Sequence, residues 1–134
     1  MREPWGAGFT HRDAAGGTGF AGGGIWDRMD AGPALCQAAE QAWAGGLDTL
    51  PDGELVGLMA VAHRNGARQA ALKLAVTGEL AARRAGPGGV PGEHVEDEVA
   101  ALLTLTGRAA AKQVALAAGV ARLPAVTAAL VHCP

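Results

Sequence analysis

The sequence predicts an all-α fold: a helical bundle with one long central helix and a helix-turn-helix-like pair, preceded by a disordered glycine-rich arm. Apolar residues recur at helical spacing from residue 33 onward, and no stretch alternates apolar and polar residues as a half-buried strand does. Glycine and proline stand at the ends of these periodic stretches, where they end or begin helices. The 134 residues therefore divide into an arm, 1–32, and one helical domain, 33–131.

The arm is rich in glycine and has no periodicity. Fixing glycine costs backbone entropy, and few large apolar side chains are present to offset that cost. We therefore expect residues 1–32 to be disordered, with Phe20, Ile25 and Trp26 at most docking weakly. The arm contains a GxGxxG string at 17–22, but a dinucleotide site needs a strand before that string and a helix after it. Neither element is indicated, so we interpret the string as a coincidence of composition.

The helical domain opens with two predicted helices. The first begins at Pro33 and ends at Gly45-Gly46. The second begins near Asp52, whose charge suits a helix N-terminus, and ends after Arg83-Arg84, whose charges suit a C-terminus. Asn65-Gly66 is a possible break, but the apolar stripe keeps its phase across it, which favours one long helix. That stripe comprises Leu55, Leu58, Met59, Ala62, Val76 and Leu80.

The remaining residues predict three shorter helices. One opens at Glu96, a break follows at Thr104–Thr106 with Thr106 as the N-cap, and a further helix runs from Gly107 to about Leu123. Pro124 then begins a fifth helix. The pair around the break has the outline of a helix-turn-helix, in which the second helix enters the major groove of DNA. That helix (107–122) offers Arg108, Lys112 and Gln113 as candidate nucleic-acid contacts; a corner that only packs is the favoured interpretation.

Charge and cysteine content exclude several classes of protein. The net charge of −2 does not favour nucleic-acid binding over the whole surface. Cys36 and Cys133 have no metal or redox spacing, which is typical of reduced thiols, and no apolar stretch is long enough for a bilayer. We expect a cytoplasmic protein with no membrane contact.

No arrangement of residues predicts chemistry. Glu93, His94, Glu96 and Asp97 lie close in sequence, but a metal site needs three or four ligands in fixed geometry, and a solvated helix N-terminus explains them better. The sequence contains no serine, and neither cysteine has a supporting histidine and acid in context. We therefore expect no enzyme activity, no metal, no cofactor and no small-molecule substrate.

Four segments, in order along the chain, resemble a known family. They are LDTLPDGELVG (47–57), LAVTGELAARR (74–84), DEVAALLTLTGRAA (97–110) and LPAVTAAL (123–130). Together they are similar to domain of unknown function 222, the helical region that precedes an HNH endonuclease domain in many actinobacterial proteins. The resemblance implies a mostly helical module with no established chemistry of its own. Family members continue beyond the position of Pro134 to the HNH domain, so we expect an incomplete member and carry over no catalytic residue.

These observations lead to three hypotheses for function. The first is a non-catalytic helical module for self-association or positioning, which forms a homodimer along the stripe from Leu55 to Leu80 because the chain has few large side chains for a core. The second is a DNA-binding module that uses Arg108, Lys112 and Gln113. The third, an enzyme in its own right, lacks any supporting residues.

Overall fold

The computed structural model describes residues 19–89 and 94–132, and over these residues the fold is all-α, as expected, with no strand. The α-helices are α1 (Ile25–Arg28), α2 (Pro33–Ala44), α3 (Asp52–Arg84), α4 (Val95–Leu103), α5 (Gly107–Ala121) and α6 (Pro124–Val131). Short 3-10 turns cover Leu47–Thr49 and Pro87–Gly89. The described residues form two compact units, 19–68 with 132, and 69–89 with 94–131, and the long helix α3 contributes to both.

The helix ends lie where the local sequence signals place them. Pro33 occupies the first turn of α2, and Gly45 caps its C-terminus. Helix α3 passes through Asn65-Gly66 without a break, which confirms the single long helix. Thr106 is the N-cap of α5, and its Oγ1 accepts a hydrogen bond from the Ala109 N–H at 3.2 Å. These ends depend on capping and on proline geometry, which act within a few residues.

The arm boundary at residue 32 is wrong, because the chain is folded from residue 19. Residues 1–18 lie outside the described residues. Residues 19–31, which we name the N-terminal segment, pack against the first half of α3, and Phe20 is only 2% exposed. The Phe20 ring stacks on Trp26 with 6.2 Å between centroids. The segment folds despite its glycine content because charged side chains of α3 hold its main chain, as described below.

The core of the first unit is small. It consists of one aromatic ring and a few aliphatic side chains drawn from the N-terminal segment, α2, the residue after the first 3-10 turn and α3. Trp26, Met29, Ala39, Ala42 and Leu55 pack against it while partly exposed. The buried members are Phe20, Leu35, Ala38, Leu50, Leu58 and Val61.

The second unit contains the helix-turn-helix-like pair α4 and α5. Its buried residues are mostly small or β-branched, with Val95 and Val99 on α4 and Ala110 and Ala117 on α5. Thr104 ends α4 in the left-handed conformation (φ 54°), and the Leu105 N–H donates to the Ala100 carbonyl at 2.9 Å. This is the hydrogen-bond pattern of a Schellman C-cap, and it fixes the direction of the turn.

Candidate interaction groove

An apolar groove of about 600 Å³ lies in the first unit between α2 and the first half of α3. Its walls carry large exposed apolar side chains: Trp43 is 66% exposed, Met59 is 70% exposed and Leu47 is 40% exposed. Exposed apolar patches of this kind mark sites of interaction on folded proteins. The full lining is Cys36, Ala39, Glu40, Trp43, Leu47, Leu55, Leu58, Met59, Ala62 and Asn65.

The groove exists because α2 presents two faces of different character. Leu35 and Ala38 are buried in the core, Cys36 and Trp43 line the groove, and Ala39 contacts both. Side chains three or four residues apart share a helix face, so the positions of these residues along α2 produce the two stripes. Small side chains at Cys36 and Ala39 leave open space beside the bulky Trp43.

Glu54 holds the N-terminal segment against α3. Its carboxylate is 1% exposed and accepts hydrogen bonds from the main-chain N–H groups of Phe20, at 2.9 Å, and of Ala21. Gly57, one turn further along α3, permits this contact, because a Cβ at that position would overlap the carbonyl group of Phe20. The buried carboxylate therefore accepts charge-assisted hydrogen bonds from the main chain in place of those it would accept from water.

Arg64 holds the other end of the same segment. Its Nη2 donates to the Trp26 carbonyl at 3.0 Å and to the Met29 carbonyl at 3.5 Å, and its Nη1 lies 4.0 Å from Asp27 Oδ1. The guanidinium suits this role because it carries several donors in a fixed plane. The N-terminal segment is thus held by an acid at one end and a base at the other.

The residues of the apolar stripe that was expected to mediate self-association differ in burial and belong to two different units. Leu58 is buried in the core and Leu55 packs partly against it, so Leu58 is not available to a partner. Met59 and Ala62 are exposed and line the groove. Val76, also exposed, and Leu80, which is half-buried, lie in the second unit beside a separate shallow hollow with Ala75 and Glu79. The burial pattern differs from the stripe because alanine fits both faces of the helix, so periodicity alone does not fix which face is covered.

Sequence reasoning missed Phe20, Glu54, Gly57 and Arg64 as a set. The apolar periodicity alone indicates no contact between the N-terminal residues and Glu54, Gly57 or Arg64. A signal was present: these three residues of α3, together with Val61, recur at spacings of three and four. An acid, a glycine and a base on one otherwise apolar helix face indicate a main chain crossing close to that face.

The three candidate nucleic-acid residues do not share one environment. Arg108 and Lys112 are exposed on α5, and neither forms an ion pair with an acid in residues 19–89 or 94–132. Gln113 instead is half-buried, and its Nε2 donates to Thr77 Oγ1 on α3 at 3.4 Å. Gln113 therefore packs within the second unit, and only the two cations point outward as a pair.

A two-pronged ion pair joins α3 to α4 within the second unit. Arg84 donates from Nε and Nη2 to the two carboxylate oxygens of Glu98, at 3.0 and 2.9 Å. The hydrogen bonds from Arg84 hold the pKa of Glu98 below its ordinary value of 4.5, and Glu98 in turn raises the pKa of Arg84. Both side chains are about half exposed, so the pair aligns the helices with a modest stabilisation.

The acidic helix start at 94–97 has no converging ligand geometry. His94 Nδ1 lies 3.8 Å from Asp97 Oδ2, and both side chains are largely exposed, while Glu93 lies outside the described residues. Among the described residues, no three histidine, cysteine or acidic side chains converge as metal ligands. No single described helix is long and apolar enough to cross a membrane; α5 and α6 meet that test only as a pair, and they are bent by 105° at the break between them.

No family model, curated protein or solved structure matches this chain.

Proposed function

We propose that this chain is a non-catalytic helical module that acts by protein association, of the type that precedes HNH endonuclease domains in the family its sequence resembles. One observation carries the proposal: the apolar groove between α2 and α3, with Trp43 and Met59 exposed on its walls. Interfaces are built around aromatic anchors of this kind, surrounded by residues that exclude water.

The chemistry of the groove supports association over catalysis. The described residues that line it include two ionisable side chains, Cys36 and Glu40, and no histidine. Nucleophilic catalysis needs a nucleophile and a base within hydrogen-bond reach of each other. The lining is otherwise apolar, which favours the burial of another apolar surface.

The energetics favour a covered groove. Apolar surface that leaves water contributes about 25 cal/mol per Å², so covering one tryptophan or methionine side chain contributes roughly 1.5–3 kcal/mol before the entropic cost of association is subtracted. The core of the first unit holds only a few large side chains, and nearly as many remain outside it. A partner that covers Trp43 and Met59 therefore adds as much apolar burial as a large part of that core.

A site-specific crosslink tests the proposal. The photoreactive residue p-benzoylphenylalanine replaces Trp43 in the full chain inside cells, and in a control it replaces Val56, which is 66% exposed on α3 outside the groove. We expect a light-dependent adduct from position 43 that is lost when Met59→Glu is added, and none from position 56. No adduct from position 43, or equal adducts from both positions, would contradict the proposal.

DNA binding is the second candidate function, and the exposed pair Arg108 and Lys112 favours it. These cations are four residues apart and so share a face of α5, where two phosphates are within reach. A fluorescence titration with duplex DNA at two salt concentrations tests this function. Binding through phosphates weakens steeply as salt rises, and the double variant Arg108→Ala/Lys112→Ala should abolish it. Absence of binding at low salt would exclude the second candidate.

A further inference from the structure

We infer that the occupant of the groove is the same groove of a second copy, in a two-fold dimer in which Trp43 of each copy enters the groove of the other. This inference rests on the proposed function, since it names the partner in the association. The proposed interface involves the first unit alone, because every residue that lines the groove belongs to residues 36–65. Three properties of the groove carry it: its area, its paired recess and projection, and its charge.

The area is enough for a dimer of moderate affinity. Trp43, Met59 and Leu47 are 66%, 70% and 40% exposed. With large side chains that bury about 150–250 Å² each, these three alone leave on the order of 350 Å² of surface to cover. The smaller lining residues bring each copy to roughly 500 Å², so two copies bury about 1,000 Å² in total, near the lower limit for a specific interface. We therefore expect a dissociation constant in the micromolar range.

The groove contains both a recess and a projection, as a two-fold interface requires. In such an interface the same patch serves both copies, so it must offer a side chain that inserts and a space that receives it. Trp43 lies near the end of α2 and is 66% exposed, and the same groove is lined by Cys36, Ala39 and Ala62, whose side chains are small. The patch therefore offers both a large side chain that can insert and small ones that can receive it.

The charge of the lining also fits an interface between two identical surfaces. Glu40 is the one charged side chain among the residues that line the groove. Interface centres are depleted of charge, and like charges directly opposed across a symmetric contact are unfavourable. A single acid on the wall of an otherwise neutral groove can remain at the solvated rim of a dimer.

Sedimentation velocity and light scattering of the purified full chain test the inference, over about 1 to 300 μM. We expect the mass to rise with concentration from 13.4 kDa toward twice that value. Met59→Glu and Trp43→Ala should each weaken the dimer at least tenfold. Val56→Glu is the matched control: it places the same charge on the same helix, at a similarly exposed position outside the groove, and should change the dissociation constant less than twofold.

Each outcome bears on the inference. Both groove positions are largely exposed, so the helical circular dichroism of the variants should equal that of the unmodified chain. A monomer at every concentration overturns the second copy as occupant, and so does equal weakening by Val56→Glu and Met59→Glu. If the purified chain is monomeric while position 43 crosslinks to a different protein in cells, the second copy is wrong and the proposed function stands. If neither association nor crosslink occurs, both fail.

Discussion

Gly57 offers the sharpest test of how the N-terminal segment is held. A Cβ at this position would overlap the Phe20 carbonyl group and lie 3.0 Å from the Ala21 nitrogen. These neighbours are main-chain atoms, which cannot turn aside as the end of a flexible side chain can. The change Gly57→Ala must therefore push the segment away from α3, and the hydrogen bonds to Glu54 must lengthen or break.

The expected loss follows from the contacts that the segment makes. Two hydrogen bonds to a charged acceptor contribute about 1.5–3 kcal/mol each at most, and burial of Phe20 contributes roughly 1.5–3 kcal/mol. Alanine offsets about 1 kcal/mol because it favours the helix over glycine, and release of the two residues that Glu54 binds, Phe20 and Ala21, regains backbone entropy of about 2–4 kcal/mol in total. We expect Gly57→Ala to lower the free energy of unfolding by about 2–3 kcal/mol after these offsets.

Gly66 is the matched control for this prediction. It lies in the same helix, and a Cβ there would meet no atom within 4 Å. Gly66→Ala should therefore stabilise the protein by about 1 kcal/mol, opposite in sign to Gly57→Ala. Urea unfolding followed by far-UV circular dichroism measures both, and Trp26 fluorescence, in a chain that also carries Trp5→Phe and Trp43→Phe, reports release of the segment. If Gly57→Ala proves as stable as the unmodified chain, the described contact between Phe20 and α3 is wrong.

Three further predictions concern charged and capping residues. Glu54→Gln should lower the free energy of unfolding by about 1–3 kcal/mol, because an amide accepts hydrogen bonds from the segment less well than a carboxylate; Glu79→Gln, at an exposed ion pair on the same helix, should change it far less in the same urea assay. Thr104→Gly should raise the free energy of unfolding by about 0.5–1 kcal/mol, because a β-branched residue with φ 54° is strained. An unchanged urea midpoint would argue against that strain. Glu98 has a lowered pKa, so its pairing with Arg84 stabilises the fold above pH 4.5, and this stabilisation is lost as pH falls through the lowered value. In the Arg84→Ala variant, NMR titration of the carboxyl groups should show the pKa of Glu98 rising toward 4.5. No change in that pKa would refute the pairing.

The sequence predicted the helices well because their ends depend on local chemistry. Pro33, Gly45 and Thr106 act within one turn of themselves, so single-sequence reasoning places them correctly. The continuity of α3 across Asn65-Gly66 was likewise predicted, from the phase of its apolar residues. The proposed functions stay predictions, since nothing in the helix pattern specifies a partner.

The N-terminal segment was not predicted because its contacts are not local. Phe20 reaches its acceptor on Glu54 across 34 residues of chain, and glycine-rich composition alone indicates disorder. The buried face of α3 was also predicted only in part. Alanine fits either side of a helix, so Leu58 and Met59, adjacent in sequence and both apolar, could not be separated into buried and exposed.

Glu54 binds main-chain N–H groups rather than side chains, and this determines which substitutions the N-terminal segment tolerates where it crosses α3. Most replacements at Ala21 or Gly22 preserve the N–H that the carboxylate contacts at Ala21, so this stretch can diverge between relatives while its path stays the same. Proline is the exception, because at residue 20 or 21 it would remove the donor itself. An alignment of homologues should therefore show variable residues at positions 21 and 22, no proline at positions 20 and 21, and a conserved acid at position 54.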